Sequence, residues 1–104
     1  MNRIEQLVKF IEEDAADTFS RYALGLEYVK LGDADEAEKC FRYLFINYPD
    51  YFGTYFQYAE LLQQMGKADD AKHIYKKGME VTFQKDMKTY SELQNALANL
   101  EMGI

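Results

Sequence analysis

The chain has one histidine, His73, and one cysteine, Cys40, and these are the side chains best suited to nucleophilic or acid–base work. His73 lies among Lys72, Lys76 and Lys77, and no residue stands at a spacing that gives a Ser/His/Asp or Cys/His pair a geometric reason. It reads as a solvated side chain. Cys40 falls with Phe41 and Leu44 on one apolar stripe, where a thiol packs as a small hydrophobe. A lone cysteine forms neither an internal disulfide nor a thiolate metal cluster, and it fits a reducing compartment. The acidic run Asp33, Asp35, Glu36 and Glu38 has calcium-binding side chains but lacks the glycine and the distant bidentate glutamate of a calcium loop. Carboxylates there are what the dipole at a helix start favours. No glycine-rich phosphate loop occurs, and Lys72, Lys76 and Lys77 make too small a basic patch to hold nucleic acid. We therefore expect no catalytic residue, no metal ligand, no cofactor and no small-molecule substrate.

What the sequence does offer is aromatic surface. Nine tyrosines and seven phenylalanines in 104 residues, without tryptophan, exceed what an ordinary core of that size needs. Such a chain forms one domain and buries roughly two-thirds of its unfolded surface. The net charge of −6 disfavours nucleic acid and anionic membranes as partners. The excess is uneven: residues 1–66 hold six basic and twelve acidic side chains, residues 67–104 six of each. Met1 to Asp14 interleaves charges with its apolar residues, unlike a signal peptide. No window approaches the roughly 20 apolar residues that span a bilayer. A soluble, cytoplasmic protein is expected.

The elements that position these side chains repeat. A shift of 34 residues lays Gly32 on Gly66, Ala34 on Ala68, Asp35 on Asp69, Ala37 on Ala71, Phe41 on Tyr75 and Gly25 on Ala59. Each unit reads as two helices around a glycine stop. In the first, Asp17 caps a helix through Leu31, Gly32 ends it, and Asp33 or Asp35 caps a second helix whose apolar face is Ala37, Cys40, Phe41, Leu44 and Phe45. Tyr48-Pro49-Asp50 stops that helix. The second unit runs from Tyr51 to Met65, stops at Gly66, and resumes from Ala68 to about Thr82. The flanks are half units: residues 2–14 fall on 36–48, and residues 86–101 on 52–67. Six helices are predicted, the outer two acting as lids.

Leu24-Gly25-x-x-Tyr28, then Gly32, Ala37, Phe41 and Pro49, resemble the tetratricopeptide repeat. The resemblance covers almost the whole chain and points to a small bacterial-type member. It implies an all-α fold, a right-handed α-solenoid of antiparallel helix pairs: a single domain 1–104 with a half-repeat helix over 1–16, repeats over 17–50 and 51–84, and a capping helix over 85–104. The second repeat departs further from the pattern, with Leu62 for the family's tyrosine, Gly78 for an alanine and Phe83 for the closing proline. Arg21 and Tyr55 stand where the family prefers tryptophan.

By the same resemblance, the first helices line a concave groove that binds protein or peptide segments. Carried over, its residues are Phe19, Tyr22, Leu26 and Val29, then Phe56, Glu60 and Gln63, then Met87, Tyr90, Gln94 and Leu97. The family's clamp for a C-terminal carboxylate needs cations, whereas the matching places hold Tyr22, Leu26, Gln57, Met87 and Ser91. The groove suits an apolar or aromatic segment of a partner protein. The expected function is a non-enzymatic adaptor. Two alternatives stand beside it: a self-associating homodimer that covers the same surface, and rings that simply pack across adjacent first helices as core.

Overall fold

A few side chains decide where each helix begins. In the structure, a computed structural model that describes residues 1–103, the Asn2 side chain accepts a hydrogen bond from the Glu5 amide and opens α1 (Arg3–Glu13). Asp17 accepts from the Ser20 amide at 2.9 Å and from its hydroxyl at 2.6 Å, opening α2 (Thr18–Leu31). Of the two aspartates offered for α3 (Ala34–Asn47), Asp33 is the cap, accepting from the Glu36 amide, while Asp35 lies in the first turn. Neither α4 (Gly53–Gln64) nor α5 (Ala68–Thr82) has a side-chain cap; Asp69 and Asp70 supply negative charge to the first turn of α5 instead. Asp86 opens α6 (Met87–Met102), accepting from the Thr89 amide and hydroxyl.

The stops repeat as the sequence does. Gly32 and Gly66 both have φ of 77°, the left-handed geometry glycine adopts without strain. The amide after each glycine then reaches back to the carbonyl five residues earlier, Asp33 to Tyr28 at 2.9 Å and Lys67 to Leu62 at 2.8 Å. These are one hydrogen bond written twice, 34 residues apart, so Leu62 does not weaken the stop. The α5–α6 turn lacks such a glycine. Gln84 takes φ of 66° there, a strain of about 1–2 kcal/mol for a side-chain-bearing residue.

All described elements are helices, six in number. The chain divides into two compact units, Met1–Tyr51 and Phe52 onward. In the first, α2 packs on α1 and α3. Leu7, Leu24 and Cys40 form a buried cluster with Ile4, Val8, Ile11, Ala23 and Tyr28 against it. In the second, α5 packs on α4 and α6 around Tyr55, Tyr75, Leu62 and Leu93. Arg21 and Tyr55 occupy the tryptophan place by different means: Arg21 lays its guanidinium 3.8 Å over the Tyr43 ring, whereas Tyr55 is one of the largest fully buried side chains.

Close approach is the reason for two helical glycines. A Cβ on Gly25 would lie 2.6 Å from the Phe41 ring, and one on Gly78 would lie 2.7 Å from Tyr55 Cβ and 2.8 Å from Leu93 Cδ1. Gly78 is therefore required by packing, and the alanine usual at that place has no room. Helix propensity alone would credit Gly78→Ala with about 0.5–1 kcal/mol of stabilisation. Overpacking reverses the sign, and chemical denaturation of this variant should show a loss of about 1–3 kcal/mol.

The aspartate caps also set an acid limit. Hydrogen bonds first from the side chain and then from the backbone of Ser20 hold the Asp17 carboxyl below the usual range, and Thr89 does the same for Asp86. Because both pKa values are lower in the folded state, the stabilisation is present above the unfolded value near 4 and is lost as pH falls through the folded value. Tm should fall on acidification below about pH 4, and less so in Asp17→Asn plus Asp86→Asn.

Candidate functional site

The residues first considered for chemistry occupy structural places. His73 is exposed on α5, and Cys40 is buried in the first unit's core. Burial pushes the Cys40 thiol up to about 11, against an opposing pull from Arg21. In the acidic run, Asp33 is spent as a cap and Glu36 pairs with Lys39 at 2.9 Å. Among the described residues no three His, Cys, Asp or Glu side chains converge as a metal site, and no helix is long and apolar enough to cross a membrane.

In the first unit, the side chains expected to line a groove form a graded surface. Phe19 is 63% exposed, while Tyr22, Leu26 and Val29 are half-buried. Tyr22 packs between Phe41, at 6.2 Å between ring centroids, and Tyr51, at 5.4 Å. Burial raises the Tyr51 phenol, with Asp17 adding to it. A cleft of about 350 Å³ opens beside these rings, bounded by Thr18, Asn47, Tyr48, Pro49, Asp50 and Tyr51.

The second unit repeats the ring contact. Phe56 meets Tyr75 edge-on at 6.4 Å, as Tyr22 meets Phe41 one repeat earlier. The rings thus pack on the second helix of their own unit, an arrangement that spacing along the first helices could not reveal. The Tyr75 hydroxyl donates to the Gln63 amide oxygen at 2.6 Å, so Gln63 is committed within the unit. Burial, then Glu60, pushes that phenol to about 12. Glu60 and Gln94 are exposed.

The last helix breaks the rule. Tyr90 stands at the place of Tyr22 and Phe56, but its ring contact is Phe83, at 5.4 Å, in the strained turn before α6. Its outer side opens on a cleft of about 640 Å³ between α5 and α6, lined by Lys76, Met79, Glu80, Phe83, Tyr90 and Leu97. Leu97 is only 8% exposed and forms the floor. Phe83 is 51% exposed, and Met87, whose sulfur accepts a hydrogen bond from the Gln84 amide, is 47% exposed. Lys76, Met79, Glu80 and Phe83 were not among the groove residues expected from sequence. Their spacing along one face of α5 was legible, but a second helix of the repeat was not expected to contribute.

A tetratricopeptide repeat model matches residues 20–42 and 52–85, more than half of the chain. The chain belongs to the tetratricopeptide repeat family. A tetratricopeptide repeat domain protein from Salinibacter ruber is similar in solution structure at 38% identity and a TM-score of 0.80, over 85% of this chain and 90% of that one. Its crystal structure agrees at 38% identity and a TM-score of 0.77, over 82% and 97%. A Bordetella parapertussis protein shares the fold, with a TM-score of 0.83 at 21% identity, over 99% of this chain and 90% of that one. No curated protein matches the chain in sequence with significance. Repeats of this family generally mediate protein–protein interaction and are typically not enzymes. The match spans nearly all of the second repeat but stops at Arg42 in the first, although the second departs further from the family's signature residues.

A buried thiol with a raised pKa is a poor nucleophile. Near pH 8 iodoacetamide should alkylate Cys40 in the folded protein at least about 100-fold more slowly than in denaturant, as followed by mass spectrometry.

Proposed function

We propose that this tetratricopeptide repeat chain is a non-enzymatic adaptor that receives an apolar or aromatic segment of another protein on the first-helix faces of its units. The cleft between α5 and α6 carries the reading. It has room for several side chains, an apolar floor of Met79, Tyr90 and Leu97, and a rim on which Phe83 and Met87 are about half exposed. In the first unit Phe19 is the exposed anchor, with Tyr22, Leu26 and Val29 beside it. Glu60 and Gln94 supply polar contacts. The places used elsewhere in the family to clamp a carboxylate hold no cation, so the ligand's apolar side chains supply most of the affinity. The acidic balance of the chain disfavours nucleic acid. A single buried thiol fits the reducing cytoplasm.

Exposed anchors are better probes than rings held in the core. Tyr22, wedged between Phe41 and Tyr51, reports packing as much as binding. The five methionines provide a direct readout, since Met79 lines the cleft and Met87 adjoins it. Titration with an amphipathic helical peptide bearing two aromatic anchors should shift the methyl resonances of Met79 and Met87 and leave that of Met65 unchanged. Phe83→Ala should weaken the binding about tenfold or more, as loss of an interface hot spot does, with helicity unchanged. Methyl shifts that ignore both Phe83→Ala and Tyr90→Ala would refute the cleft as the site.

A further inference from the structure

The charge around the α5–α6 cleft runs against that of the chain. Between positions 72 and 88 stand Lys72, Lys76, Lys77, Lys85 and Lys88 against Glu80 and Asp86, within a protein of net charge −6. Both carboxylates are already held: Glu80 pairs with Lys77 at 3.5 Å, and Asp86 accepts from the Thr89 hydroxyl at 2.7 Å. Lys72 and Lys76 make no ion pair among the described residues, nor does Glu101, one turn beyond Leu97 on α6. Cations of the first unit are largely committed: Arg3 and Lys30 reach Glu27, Lys39 pairs with Glu36, and Arg21 stacks on Tyr43.

The free cations and the apolar side chains share one stripe of α5. Lys72, Lys76, Met79 and Phe83 stand at i, i+4, i+7 and i+11, successive places on one helical face. Lys76, Met79 and Phe83 line the cleft, and Lys72, half-buried, continues the stripe beyond Lys76. At 1.5 Å per residue, Lys76 lies roughly 10 Å and Lys72 roughly 16 Å from Phe83 along the helix axis. The α5 wall thus changes from apolar beside the turn to cationic toward the start of the helix, opposite an α6 wall of Tyr90 and Leu97.

We infer that this cleft selects an acidic amphipathic helix of a partner protein, an aromatic side chain entering between Phe83, Met79 and Tyr90 while carboxylates two and three turns away meet Lys76 and Lys72. The inference rests on the cleft being the binding surface, as proposed above, and states the chemistry of its partner. The net charge of −6 does not oppose it at contact, because at physiological ionic strength exposed charges more than about 8 Å apart are largely screened. Glu80, on the same wall, opposes a carboxylate beside Met79 and so places the acidic positions further along, at Lys76 and Lys72. Exposed ion pairs add little affinity. The apolar anchor therefore holds the helix, and the lysines choose among helices.

Three end-capped helical peptides of about 18 residues test this. They share a tryptophan and a leucine anchor and differ at two positions, seven and eleven residues from the tryptophan, which hold glutamate, glutamine or lysine. Each is made in both sequence orders, so that either helix direction is sampled. The protein has no tryptophan, so the peptide's fluorescence reports binding directly. In about 0.15 M salt the glutamate peptide should bind about threefold to tenfold more tightly than the glutamine peptide, and the lysine peptide more weakly than either. In about 1 M salt, where the screening length is about 3 Å, the three affinities should converge. Lys72→Glu plus Lys76→Glu should reverse the order, with circular dichroism confirming the fold, and Phe83→Ala should weaken all three peptides alike. Equal binding of the glutamate and glutamine peptides at the lower salt, a preference that high salt leaves unchanged, or an order that survives the double charge reversal would overturn the inference. If the peptides still shift the Met79 and Met87 methyls in such a case, the cleft stands as the site and only the partner's charge is wrong. If none of the peptides shifts those methyls, the cleft is not the site and both readings fall.

Discussion

The helices can lie against each other only where one of them gives up its Cβ or keeps no more than a methyl group. Gly25 lets the Phe41 ring sit on the α2 backbone, and Gly78 lets α5 touch Tyr55 of α4 and Leu93 of α6 together. Ala37, Ala59 and Ala71 are fully buried at corresponding close contacts. Once the backbones are that close, a large ring is needed beside each small residue to fill the remaining volume, because protein interiors tolerate few voids. Phe41, Tyr55 and Tyr75 fill that volume, each almost wholly buried. Small residue and ring are thus one device. Changing either member alone leaves a clash or a cavity.

The same device explains which rings are partly free. A second helix turns its ring toward the first helix of its own unit, so Tyr22 gains Phe41 and Phe56 gains Tyr75. Among the described residues the ring beside Tyr90 is Phe83, which reaches it from a turn strained at Gln84. Hydrophobicity alone does not predict which apolar side chain is exposed: Phe19, Leu31 and Ile46 are exposed on α2 and α3, whose other faces are packed. Leu97 and Phe83 illustrate the point: both are apolar and both bound the cleft, yet one is floor and the other rim.

Much of this was legible in the sequence because it is written locally. A capping side chain acts within three residues and a glycine stop within five, so Asp17, Gly32, Gly66 and the Pro49 stop could be read from spacing. The helix boundaries expected from them lie within a few residues of α1 to α6. The family followed from the small and aromatic places. The surface was less legible, because exposure depends on contacts distant in sequence. Gln63 could be placed on a first helix but not seen to bind Tyr75, twelve residues on. Gly78 read as a departure from the family pattern, although the contacts of Tyr55 and Leu93 make it the residue that fits. The α5 side of the cleft was missed because the resemblance directs attention to first helices alone.

A short array also distributes its stability unevenly. When stability is a sum of nearest-neighbour interfaces, a helix packed on one side contributes less and opens more easily than one packed on two. In the first unit α1 packs chiefly on α2, and in the second α6 packs chiefly on α5. Within each unit the middle helix, α2 or α5, is packed on two others, and α6, which carries Tyr90, is held chiefly by α5. A ligand that filled the proposed site in the cleft only in the folded state would stabilise α6 by mass action. Binding at the proposed site would then be coupled to the local stability of α6, since Tyr90 and Leu97 lie on that helix and line the cleft.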